Sequence, residues 1–82
     1  MGDACRRGAA RFALRWPKAR STLNQVLATN VHVQELCEAY EAACAAVEYW
    51  LHADSPDGFA RADEYRALAA STEQDILDAL NC

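Results

Sequence analysis

Glycine is scarce in this 82-residue chain, with only Gly2, Gly8 and Gly58. Three dispersed glycines make no phosphate-cradling loop, and no paired carboxylates are placed by spacing for acid–base chemistry, so the expectation is no enzyme and no catalytic residue. Long apolar runs are missing as well. No stretch approaches the roughly 18 apolar residues of a membrane span. The apolar stretches near the start are short and broken by arginine, unlike a signal peptide, which sets the cytoplasm as the expected compartment. The four cysteines lack the short spacings of a zinc knuckle, and His32 and His52 are remote from each other, so no metal and no cofactor are expected and neither histidine is given a role.

Disulfides are also disfavoured. Cys37 and Cys44 are seven apart in a helical stretch, about 10 Å along the axis, too far to bridge. Cys5 and Cys82 stand near the two ends and are expected to be exposed, open to oxidation between molecules. Cys44 reads as a small hydrophobe on a buried seam.

What the chain does have is alanine, charge asymmetry and helical periodicity. The apolar fraction of 52% suffices for a core, but alanine supplies much of it, so the core is expected to be thin. Residues 1–30 carry Arg6, Arg7, Arg11, Arg15, Lys18 and Arg20 against the single acid Asp3, a net +5. Residues 31–82 carry eleven acids against Arg61 and Arg66, a net −9, and the total is −4. The two halves therefore have different jobs or touch one another.

The clearest element is 31–52, where Val33, Leu36, Cys37, Tyr40, Cys44, Val47 and Leu51 recur at helical steps. Glu35, Glu38, Glu41 and Glu48 fall off that face and read as solvated. Asn30 is the expected N-cap. Turn residues follow, and Ser55 with Pro56 at the first helical position predicts a second helix over 56–80. Ala62, Tyr65, Ala69, Thr72, Ile76 and Ala79 form its apolar stripe, with Leu68 and Leu80 beside it. Two long helices joined by so short a turn must be antiparallel. A short helix over 21–29, carrying Leu23, Val26 and Leu27, is expected to cap the hairpin on one side.

The fold class is thus all-α: an antiparallel helical hairpin with a short N-terminal helix, arranged as a three-helix bundle or as a dimeric four-helix assembly. Residues 20–82 form the expected domain and residues 1–19 a basic, flexible arm. Because two helices cover only part of each other's stripes, a homodimer is expected to supply the rest. The competing arrangement is a monomer in which an ordered arm brings Phe12, Leu14 and Trp16 as cover.

Two constellations compete as functional surfaces. Tyr49 points away from the helical seam, and Trp50 sits at its edge beside Ala39, Ala43 and Ala46, an alanine-lined groove that admits another helix closely. Trp50 also reads as plain core. The second constellation is Arg7, Arg11 and Arg15, which at four-residue spacing suit an anionic surface; an acidic remainder of the chain disfavours nucleic acid. The resulting expectation is a protein–protein interaction or regulatory module with another protein as partner. The alternative is a nucleic-acid or anionic-membrane-surface binder acting through the arginine-rich arm.

Overall fold

The computed structural model describes residues 1–81, leaving Cys82 outside the described residues. Every regular element in it is helical: α1 (Asp3–Arg15), a 3-10 turn (Pro17–Ala19), α2 (Arg20–Leu27), α3 (Val31–His52) and α4 (Gly58–Leu80).

The hairpin forms as its periodicity requires. The side chain of Asn30 accepts from the backbone N–H of Val33 at 3.1 Å, capping α3 at the residue its sequence marks. Along α3, Val33, Leu36, Tyr40, Ala43, Val47 and Trp50 follow three- and four-residue steps, and α4 packs along this stripe. Ala62, Thr72 and Ile76 are the buried positions that α4 contributes. Its start differs from the expected one. Ser55 and Pro56 form a turn in which Ser55 Oγ accepts from the Asp57 N–H and the Ser55 carbonyl accepts from Gly58, so the helix begins at Gly58 with Asp57 as its cap. Glycine also makes the tight reversal possible: a Cβ at Gly58 would lie 2.7 Å from the Trp50 carbonyl oxygen, and its absence lets the chain turn back in five residues.

α2 closes the open end of the hairpin. Leu23 and Leu27 are buried with Val33 and Ile76, and Gln34 donates from Nε2 to the Leu27 carbonyl at 2.8 Å, tying the end of α2 to the first turn of α3. The helix is short, ending at Leu27 rather than at residue 29.

The main departure from expectation lies upstream. Residues 3–15 are not a loose arm but a helix docked on α3, with Cys5, Gly8, Ala9 and Phe12 buried. Gly8 explains how: a Cβ there would lie 1.8 Å from the carbonyl oxygen of Cys37, so the two backbones touch at this point. Around the crossing, the buried thiols of Cys5 and Cys37 are neighbours, and the Phe12 ring meets Tyr40 edge-on with centroids 6.4 Å apart. Cys5 is therefore fully buried, not exposed as its terminal position suggested.

This arrangement corrects the premise for a second subunit. α1 supplies the cover that two antiparallel helices lack, through Cys5, Ala9 and Phe12. Leu14 and Trp16 do not share in it, being 84% and 39% exposed. The core so formed joins α1, α2, α3 and α4 in one cluster, within a molecule of 42 × 22 × 20 Å. No helix among the described residues is long and apolar enough to cross a membrane.

Candidate functional site

Arg7, Arg11 and Arg15 of α1 end on carboxylates of the hairpin. Arg11 Nε bonds Glu41 Oε2 at 2.6 Å and its terminal nitrogen reaches Glu48; Arg7 lies 3.4 Å from the other oxygen of Glu41. Arg15 continues the row on α4, with Nε 2.7 Å and a terminal nitrogen 3.3 Å from the two oxygens of Glu73. The charge asymmetry between the halves is thus contact between them. Glu41, read as solvated from its place off the apolar face, is buried beneath Arg7 and Arg11. All three arginines proposed to hold an external anion already hold an internal one.

Glu73 is the densest polar node. Besides Arg15, it accepts from Tyr40 Oη at 2.8 Å, and the Trp16 side chain lies nearby, so a single carboxylate fastens the end of α1 and the middle of α3 to α4. Burial works against its charge, but the bonds from Tyr40 and Arg15, with the Trp16 ring nearby, outweigh it and hold the carboxyl below its ordinary range. The same burial, helped by the carboxylate partner, pushes the Tyr40 phenol up. Nothing in the sequence singled Glu73 out, since its partners lie far away along the chain. The available signal was only an acid adjacent to the Thr72 and Ile76 stripe.

The thiols are held protonated. Burial pushes Cys37 up to about 12, with the Cys5 thiol adding to the effect, and burial likewise raises Cys5 and Cys44. Among the described residues no group of three or more His, Cys, Asp and Glu side chains stands where it could hold a metal ion. His52 Nδ1 lies 2.7 Å from the Glu48 carbonyl at the exposed end of α3, and His32 is exposed at the other end, beside a shallow depression it shares with Leu36 and Asp75.

The residues expected to form a helix-docking groove divide between two faces. Ala43 is buried on the stripe that faces α4, and Trp50 is half-buried at the end of that stripe. Ala46 is half-buried one turn before Trp50, whereas Ala39 is exposed and Tyr49 is 66% exposed on the outer side of α3. The Tyr49 and Trp50 rings meet edge-on at 5.1 Å, so the exposed ring is braced by one that is partly core. Phe59, 76% exposed at the start of α4, adds a second aromatic on the hairpin-turn end, and Leu68 is 52% exposed further along α4.

Every buried side-chain nitrogen or oxygen among the described residues has a hydrogen-bond partner. No family model matches the chain, and neither the curated proteins nor the solved structures hold a match to it.

Proposed function

We propose that this chain is a small helical interaction module that acts without catalysis by presenting the outer face of α3 to another protein. The observation that carries the reading is Tyr49: a large aromatic left two-thirds exposed on a helix face, yet braced against Trp50. Such a ring loses little conformational freedom on binding and gains area, which is what makes aromatic anchors dominate interfaces. Ala45 and Ala46, one turn before it, keep the face low, which favours close approach by a second helix.

The anionic-surface alternative has less support, because Arg7, Arg11 and Arg15 would have to leave Glu41, Glu48 and Glu73 to serve it. The proposed compartment is the cytoplasm, where the free thiols of Cys5, Cys37 and Cys44 stay reduced. A second copy of the chain is the first partner to test.

A photoreactive residue at position 49 tests the reading directly. Cross-linked species of higher mass are expected from position 49 in the native cytoplasm, reduced when Phe59 is changed to Glu. Equal cross-linking from a control site at Asp75, or none from 49, overturns it.

A further inference from the structure

Five of the seven arginines are paired with a carboxylate of this chain: Arg7, Arg11, Arg15, Arg61 and Arg66. The two that make no ion pair among the described residues, Arg6 and Arg20, line one and the same groove. It runs between α1 and α2, has a volume of about 400 Å³, and contains no carboxylate. Its floor is alanine and leucine: Ala9 and Leu27 are buried, Ala13 is half-buried and Ala10 is exposed. Leu14, the most exposed large apolar side chain of the molecule, stands at its edge.

We propose that this groove docks an acidic amphipathic helix of a partner protein. The inference rests on the reading of the chain as an interaction module, and assigns it a second surface and a partner chemistry. Two helical walls over a floor of small side chains make a trough that accepts the apolar ridge of a third helix. Arg6 and Ala13 are seven residues apart on α1, about two turns or 10 Å. The short turn after α1 brings Arg20 to the Ala13 end. A helix lying in the trough therefore meets a cation at each end, and the matching partner carries acids about two turns apart beside its apolar ridge.

Charge complementarity favours a peptide over an extended anionic surface. The hairpin residues 31–82 carry a net −9 against +5 on residues 1–30, and ionic screening over about 8 Å in physiological salt isolates the groove from acids on the far side of a molecule 20 Å thick. A helix confined to the groove meets Arg6, Arg20 and the amino group of Met1, and no carboxylate among the residues that line it. A membrane or a nucleic-acid duplex extends beyond the groove and meets the acids as well.

The test is selection of binders to the full chain, in reducing buffer, from a displayed library of amphipathic helical peptides with randomised polar positions. Selected sequences are expected to be enriched in Asp and Glu beside the apolar ridge, with affinity falling as salt rises. Arg6→Glu and Arg20→Glu should each weaken binding about tenfold, a loss typical of removing one charge pair of a small interface. Ala10→Trp, at an exposed position, should abolish binding by filling the trough while leaving the helical circular dichroism and melt unchanged. Amide shifts on binding should centre on Ala10, Ala13 and Asn24. Binders without acidic enrichment, or untouched by both charge reversals, overturn the proposal. Shifts centred on Tyr49 and Phe59 overturn it while leaving the interaction module standing, and a library that yields no binder removes both. Co-sedimentation with phosphatidylserine vesicles that disappears in the Arg6→Glu, Arg20→Glu double variant overturns it in favour of a membrane surface.

Discussion

Gly8 and Glu73 are the residues on which the assembly of the helices turns, and neither is large or apolar. At Gly8 the Cβ of an alanine would fall 1.8 Å from the Cys37 carbonyl, an atom of the backbone that cannot swing aside. Gly8→Ala must therefore push α1 off α3. The expected cost is about 3 kcal/mol, the upper part of the overpacking range, and a fall of more than about 10 °C in melting temperature. Alanine is the better helix former, so an unchanged or raised melting temperature would show that α1 does not cross α3 at this residue. Glu73 sets an acid limit. Its carboxyl is held below its ordinary value in the folded chain, so the stability it contributes is fully present above the unfolded value of 4.5 and is lost as pH falls through the folded value. Urea titrations between pH 7 and pH 3 are expected to show stability falling on the acid side, with part of that slope missing in Glu73→Gln. Identical slopes for both proteins would mean that the carboxylate is not fastened to Tyr40 and Arg15.

At the scale of elements, the hairpin was legible and the docking of α1 was not, for one physical reason. Periodicity, Asn30 as a cap and the turn residues at 53–58 are local signals, and the helices α3 and α4 answer to them. The docking of α1 depends on partners up to 58 residues away: Arg15 reads as a solvated charge until Glu73 is beside it, and Gly8 reads as a helix weakener until Cys37 is beneath it. The same distance hid Glu41, whose position off the apolar stripe is true of α3 alone and false once α1 lies over it. The role of Gly58 was hidden in the same way, since its close approach to the Trp50 carbonyl is visible only in the folded hairpin. Removal of residues 1–16 is the decisive variant. It uncovers Cys37, Tyr40 and Val33, and the shortened chain is expected to lose its cooperative thermal transition while keeping part of its helical signal. A sharp two-state melt of the truncated chain would return α1 to the status of an arm.

For the whole molecule, a core completed within one chain predicts that folding does not depend on association. The melting temperature should be unchanged over a hundredfold dilution, even if two copies pair through the outer face of α3, whereas an obligate dimer loses stability as it is diluted. Light scattering in reducing buffer supplies the mass alongside. The buried thiols of Cys5 and Cys37 carry one more consequence. Both are sealed by the same contact, α1 on α3, while Cys44 is only half-buried. An alkylating reagent thus finds a stopwatch already installed in the protein: Cys44 marks the reagent's own pace, and simultaneous labelling of the other two, at a rate that stops rising with reagent concentration, counts how often the first helix lifts from the rest.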